Sequence, residues 1–577
     1  MIKERLLAML LTVLLVFCTI TTSAQDEIIE HQGNKYVIHV EKLDPDSEMT
    51  LLDVLHICPE FISADGKDMT ADYLLSVDDI LLSVDYKPLL ENIKACDLSQ
   101  VIVCSYGAVN NAMEGTTGSI DLQFKEGKGL DGKLALNGST HGNGRVYADF
   151  SDTGENVTVR GFAQTSLYYE KAHALENTKA VSHGLTENAM VFVNWNLSKR
   201  DQMRFKLMQG FSRKKNHITF PEESMAWPGY ERWGELSAVY ERTLNDKGAL
   251  LYLEAGMSYA SNTEDTYKSR SAIPTWTTEF TVPLCKDLSL IAGWEIDYAN
   301  QWIIGARREQ YLNNDLYVQL DYTHGPWILT LGDRFRFNNY WNKLTVTDDQ
   351  SKWSYHRNDH ALHASIGYKH REHFIQGTFS RSFINPVIGD FLYDVVDNQP
   401  SYHTHYKTNL AWRAEARYNY QNSHLTATGS LLHTWLTNMI SPNQYQTGLM
   451  TSVTWNKGPL RLTVGADFFH RHISSGDMIE AVNNNFYHLK LAPTWLLGKG
   501  FRLSSVLLYS SRQKLYYELH PYLYASVKVN KELGKHFNLF ADFHDIAGQQ
   551  AGEADELLHS YKNRALTIGL TYYPFRK

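Results

Sequence analysis

Leu288-Ser289-Leu290-Ile291-Ala292-Gly293-Trp294-Glu295-Ile296-Asp297-Tyr298 is the stretch whose reading decides the fold class. Leu288, Leu290, Ala292, Trp294, Ile296 and Tyr298 fall on one face of an extended chain; Asp287, Ser289, Gly293, Glu295 and Asp297 fall on the other. Successive side chains of a strand point to opposite faces, so the pattern is that of a strand with one apolar side. The division recurs along the chain. Leu251, Leu253, Ala255, Met257 and Tyr259 oppose Tyr252, Glu254, Gly256 and Ser258; Leu460, Leu462, Val464, Ala466 and Phe468 oppose Arg461, Thr463, Gly465 and Asp467. Near the end, Leu566, Ile568, Leu570 and Tyr572 oppose Thr567, Gly569 and Thr571.

Alternation fits a two-sheet sandwich as well as a barrel in lipid, and the connections between strands separate the two. Short connections read as Ser198–Gln202, Asn245–Gly248, Lys286–Asp287, Thr323–Pro326, Lys369–Glu372, Gln421–Ser423, Asn456–Pro459 and Gly498–Gly500. Between them lie long ones, expected at Tyr169–Asn188, Arg213–Arg232, Gln301–Leu312, Tyr340–Tyr355 and Phe383–Tyr406. A membrane barrel has short periplasmic turns on one rim and longer loops on the other, whereas a sandwich has no reason to alternate. Segments counted from Gly129 onward amount to about 22 strands at roughly 20 residues per strand and connection, which suits a large transmembrane barrel.

Composition agrees. Aromatic residues make up 12% of the 577 residues, charged residues 21%, and the mean hydropathy is a polar -0.36. Strands that alternate average to such a value, while a bundle of membrane helices would show several long apolar runs. Beyond the N-terminus there are none. The net charge of -9 and the lack of a basic stripe exclude nucleic acid as a partner.

Lys3 and Arg5, the apolar stretch Leu6–Ile20, and Thr22-Ser23-Ala24 before Gln25 have the three parts of a secretory signal, so residues 1–24 are expected to be removed. Of the remaining cysteines, Cys58, Cys96 and Cys104 leave a disulfide open, with no preferred pairing. Residues 25–127 lack the long alternation and mix a helix-like segment at Thr50–Ile57 with a strand-like one at Val101–Cys104. They read as a small α+β domain ahead of the barrel at 128–577, joined to its first strand by Gly127–Gly132.

Three parts of that small domain carry a resemblance. Thr50-Leu51-Leu52-Asp53-Val54-Leu55 followed by Cys58-Pro59 looks like a helix ending in a Leu-Pro-Gly-Val turn, with Glu60 in place of the glycine. Gly115-Thr116-Thr117-Gly118-Ser119-Ile120-Asp121-Leu122 is a glycine-rich closing strand, and Gln32–Val40 is a lead-in strand. In the barrel, Arg381, Pro386 and Tyr393, then Leu410, Glu415 and Tyr418, then Leu431, Trp435, Asn438, Met439 and Ile440 follow one another at matching intervals. Together these resemble the TonB-dependent receptors of the outer membrane, in the form found in Bacteroidetes. The final strand, ending Tyr572-Tyr573-Pro574-Phe575, is similar to the signal read by the barrel-insertion machinery.

The resemblance implies a plug inside the barrel, a small ligand bound at the extracellular loops and plug apex, and TonB pulling on the plug from the periplasm. Glu27-Ile28-Ile29 is the candidate TonB-contacting box. For the ligand, an iron chelate, a corrinoid or an oligosaccharide, the loops offer Trp227, Tyr230, Tyr402, His403 and His405, because aromatic and imidazole groups suit flat or metal-bearing faces. The chain's 24 histidines are scattered, with no helical HxxxH or HExxH pair, so neither a resident metal nor a cofactor is expected. A barrel enzyme, for which Ser510, Ser511 and His520 offer only nearness in sequence, and a non-transporting adhesion or assembly platform are the other readings.

Overall fold

A computed structural model describes residues 29–575 apart from 33–34, 44–50, 56–72, 79, 83–92, 106–117, 126–128, 174–178, 220–223, 265–266, 305–306, 345–351, 385–393, 397–398, 402–408, 423, 438–442, 476–480, 515–517, 520, 547–558 and 561–563. From Gly129 to Tyr572 the chain closes into an antiparallel barrel of 22 strands, each paired with its neighbour in sequence. The short His559–Ser560 adds to the end of the strand Val157–His173. The seam joins the last strand, Ala565–Tyr572, to the first, Gly129–Ser139, through six residue pairs from Tyr572 and Leu134 to Thr567 and Ser139. Asp201–Thr219 and its partner share 19 pairs.

The barrel is apolar outside and polar inside. Leu207, Leu236, Met257, Leu431 and Ile568 are exposed, whereas Lys206, Glu295, Asp315 and Arg334 are buried. Exposed apolar side chains in such numbers are tolerated only where lipid covers them. Rings mark both edges of this belt: Trp327 meets Tyr368 at 4.9 Å near the short turns, and Trp412 stacks on Trp435 at 5.6 Å toward the opposite rim. A closed barrel with such a belt is an outer-membrane architecture.

The expected short turns are present. Several close with a left-handed residue, such as Gly248 (φ 86°), Gly325 (φ 56°) and Gly458 (φ 57°), where a side chain would strain the backbone. The long connections differ from expectation. Arg213–Arg232 is not a loop: Asp201–Thr219 and Ser224–Thr243 run through it as strands. Tyr169–Asn188, Gln301–Leu312 and Tyr340–Tyr355 are likewise largely strand among the described residues, in hairpins of 16 to 19 residues per arm. About 9–11 residues suffice to cross lipid, so these hairpins continue their ladders into water, where alternation is no longer imposed and polar residues occupy both faces. Phe383–Tyr406 lies mostly outside the described residues.

The N-terminal part comprises β1 (Ile29–Gln32), β2 (Lys35–His39), α1 (Val40–Leu43), α2 (Leu51–Leu55), β3 (Tyr73–Val77), β4 (Ile80–Leu82), β5 (Leu98–Ser105) and β6 (Gly118–Phe124). The sheet runs β1-β2-β5-β6-β3-β4, with β3 and β6 parallel. Its described helices are one turn each, so the expected α+β domain is mainly sheet. Ile38, Leu75, Val101, Val103, Ile120 and Leu122 form its core, and that core is continuous with Tyr147, Phe162, Met190, Phe192, Met208 and Val239 of the barrel's inner wall. The sheet therefore lies inside the barrel.

Candidate functional site: the plugged lumen

The plug is held to the wall by charged groups from well-separated strands. Arg417 donates to the Tyr36 hydroxyl, its guanidinium 5.2 Å from the ring centroid. The same guanidinium donates to Glu415 Oε1 at 2.9 and 2.7 Å; Arg413 donates to the other oxygen at 2.9 Å, and Ser430 to Oε1 at 2.5 Å. Alternation along Asn409–Gln421 puts Arg413, Glu415 and Arg417 on one inward face. Elsewhere Lys133 pairs with Asp97 of the plug and with Asp149 at 3.3 Å. Arg160 covers the Phe124 ring at 3.9 Å and donates to the Lys125 carbonyl at 3.2 Å. Arg204 spans Asp78 O at 2.7 Å and Glu241 at 2.9 Å. Charge-assisted bonds of this kind are stronger than neutral ones and aim the plug as well as holding it.

Near the extracellular end, the inner faces of Leu425–Thr437, Gln444–Lys457, Leu460–Ile473 and Val482–Gly498 carry an aromatic and basic patch. Phe469 stacks on Phe486 at 5.2 Å, and Arg471 lies over Phe486 at 4.7 Å. His488 stands 5.6 Å from Phe486 and 6.1 Å from Phe469, in reach of the Gln513 amide at 3.0 Å. Leu432 and Met450 complete the apolar side. Gly448 makes room for this arrangement: a Cβ there would come within 2.3 Å of the Phe469 ring. A glycine covered by a cross-strand aromatic is a recurrent strand pairing, and here it sets the ring flat against the wall.

The wall formed by Leu250–Glu264 through Trp327–Leu344 has the opposite character. Asp315 accepts from Arg334 Nε at 2.6 Å and from Arg336 Nε at 2.8 Å, and Arg334 reaches Glu295 at 2.9 Å. Tyr317, lying across Gly293, donates to Glu279 at 2.9 Å. The polar face read in Gly293, Glu295 and Asp297 is thus a buried carboxylate-arginine network.

The sequence-derived candidates do not converge. Trp227 is inward by alternation and donates to Glu264 Oε1 at 2.9 Å. Tyr230, three residues on, faces outward and is 37% exposed. Tyr402, His403 and His405 lie outside the described residues, as do Glu27 and Ile28. Ile29 is buried in β1 opposite Ile38, so it is part of the plug sheet. Ser510 and Ser511 are buried, and Ser511 Oγ accepts from the Tyr487 amide at 2.7 Å and has no acid partner among the described residues; His520 is outside the described residues. Among the described residues no three histidines, cysteines or carboxylates gather at a metal-like spacing. Phe469, Phe486 and Arg471 went unnoticed because only cross-strand register brings them together.

Neither a family model nor a curated protein matches the sequence. Solved structures do. The FrpB iron transporter of Neisseria meningitidis, F5-1 variant, is 11% identical with a TM-score of 0.70 over 93% of this chain and 99% of that one. The siderophore receptor PiuA of Acinetobacter baumannii is 12% identical with a TM-score of 0.68 over 96% and 99%. The copper transporter OprC is 10% identical with a TM-score of 0.71 over 96% and 100%. The fold is that of the TonB-dependent receptors. At these identities the likeness speaks for architecture, a closed 22-strand barrel with a small N-terminal sheet domain.

Proposed function

We propose that this chain is a TonB-dependent importer that carries a small, scarce extracellular ligand across the outer membrane. The observation that carries the reading is the plug sheet packed inside a closed barrel: a wall of 22 strands would otherwise leave a wide hole, so the plug makes passage conditional. The patch of Phe469, Phe486, Arg471 and His488 supports a ligand that is flat and anionic or metal-bearing, since rings offer a stacking face and the guanidinium a charge-assisted bond. Similar folds bear the names of an iron transporter, a siderophore receptor and a copper transporter, which favours an iron chelate over a corrinoid or oligosaccharide.

On this reading residues 1–24 are a signal peptide, 25–127 the plug with its leading segment, and 128–577 the barrel. TonB engages the segment ahead of β1, with Glu27 and Ile28 as contacts and Ile29 as the first residue pulled out of the sheet. The resemblance of Gln32–Val40 to a lead-in strand supports placement among Bacteroidetes-type receptors. Uptake of a panel of labelled ferric chelates by cells expressing the chain tests the proposal. Import that depends on TonB and falls at least tenfold in Phe486→Ala with Arg471→Gln is the expected result. Surface expression without TonB-dependent uptake of any panel member, accompanied by adhesion to cells or matrix, would put the platform reading in its place.

A further inference from the structure

The outward face of the hairpin Asp201–Thr219 and Ser224–Thr243 changes character abruptly with height. Val191, Leu207, Leu236 and Met257 are register partners across four strands and are all exposed, forming an apolar row. Four residue pairs higher on the same face, Phe211 pairs with Arg232; then Arg213 pairs with Tyr230 and Lys215 with Pro228. Arg213, Lys215 and Arg232 are all exposed. Among the described residues none of the three side chains forms a hydrogen bond or an ion pair. Each arginine instead lies by a neighbouring ring, Arg213 at 5.8 Å from Tyr230 and Arg232 at 5.6 Å from Phe211. The exposed acid in register with them is Glu187, opposite Phe211. On a chain of net charge -9, this is a local excess of positive charge.

Height assigns its surroundings. From Met203, beside the periplasmic turn, to Arg213 is ten residues, about 33 Å along a strand at ~3.3 Å per residue. At a tilt of about 40° that is roughly 25 Å of height, the thickness of the apolar band of an outer-membrane barrel. The cations therefore stand where acyl chains give way to headgroups on the extracellular side. They face away from the lumen, so a ligand passing through the plug does not meet them.

We infer that Arg213, Lys215 and Arg232, backed by Phe211 and Tyr230, form a docking site for the phosphorylated headgroup of an outer-leaflet glycolipid, whose acyl chains lie against Leu207 and Leu236. Arginine suits a phosphate by its planar fork, and rings beside it preorganise the guanidinium while touching the sugar or upper acyl carbons. Membrane-surface lysines and arginines bind anionic lipid chiefly by charge, so the three act together. The inference rests on the membrane placement of the barrel and not on transport.

Native mass spectrometry of the detergent-purified full chain, titrated with bis-phosphorylated lipid A, tests it. The expected result is a bound lipid whose affinity falls at least tenfold in R213A/K215A/R232A and stays within threefold of the parent in R213K/R232K. Dephosphorylated lipid A should bind the unaltered chain at least tenfold more weakly, which keeps the test decisive should the triple variant fail to fold. Equal binding of the phosphorylated and dephosphorylated lipids, equal binding by the triple variant, or displacement of the lipid by millimolar inorganic phosphate would each overturn the site.

Discussion

Arg334 illustrates how a single side chain holds this wall. It is fully buried between Asp315 and Glu295, and Arg336 shares Asp315 with it. Removing one partner of a buried pair leaves the other charge without compensation, at a cost of about 3–5 kcal/mol. Arg334→Met is therefore expected to lower barrel stability by that amount in urea unfolding from detergent, and Arg334→Met with Glu295→Gln to recover part of the loss, because Asp315 keeps Arg336 while Glu295 no longer carries an unpaired charge; equal stability of the single variant and the parent would refute the role. Arg417 is different, because its partner Tyr36 belongs to the plug. Arg417→Met should weaken plug retention by about 1.5–3 kcal/mol, the contribution of a hydrogen bond to a charged group, and so raise single-channel opening in planar bilayers at moderate urea by tenfold or more. Unchanged conductance would show that Arg417 is incidental to closure.

Tyr230 shows what was legible at this scale and what was not. Its aromatic character near a rim was plain in the sequence, yet the face it occupies was not, because Lys214-Lys215-Asn216 and Pro228-Gly229 interrupt the alternation from which a face is read. Counting by twos from Leu236 reaches Tyr230, and from Glu235 reaches Trp227. That count is valid only once the strand is known to continue through the hairpin, which is a fact about ladder hydrogen bonds extending into water and not about side-chain polarity.

Strands were the most legible elements wherever lipid imposed a rule on one face. Leu460–Phe468 and Leu566–Tyr572 were read correctly because every second residue must satisfy the bilayer while the rest meet water, plug or neighbouring charges. Leu431 provides a test of that rule. It lies opposite Ala416, midway between Tyr420 near one rim and Trp412 near the other, and is 57% exposed. Leu431→Arg is expected to destabilise the barrel by about 2–4 kcal/mol, the value for a cation at the midplane, when folding into bilayers is followed by tryptophan fluorescence. A loss below 0.5 kcal/mol would mean that this face does not meet hydrocarbon. The plug's elements were less legible. Helices of one turn leave no periodicity to read, and four of the plug's described strands, β1 to β4, are only three to five residues long, too short for alternation to stand out; β6, with Ser119, Asp121 and Gln123 between Ile120, Leu122 and Phe124, is the exception.

For the molecule as a whole, connection lengths carried the architecture while pairing carried the site. The alternation of tight turns with long hairpins is written in local sequence, so a barrel with two unlike rims could be read directly. The aromatic and basic patch of Phe469, Phe486, Arg471 and His488 is assembled by register between strands, and no local signal reports which rows align. Removal of the plug, residues 25–127, is expected to convert the chain into an open pore with conductance at least tenfold above the intact protein in planar bilayers. It should also sensitise cells to bulky antibiotics that the outer membrane normally excludes. A deleted form that inserts but stays closed would mean that the loops, and not the plug, seal the passage.

The six-pair seam has a consequence for biogenesis. Its two strands are the first and last of the barrel to leave the ribosome, so the cylinder cannot be joined until translation has reached Tyr572. A product ending even ten residues early would present two bare edges to hydrocarbon, each with a row of amide and carbonyl groups costing several kcal/mol apiece. The shortest ladder between neighbouring strands of the wall is therefore expected to decide whether the cylinder stays closed in the bilayer.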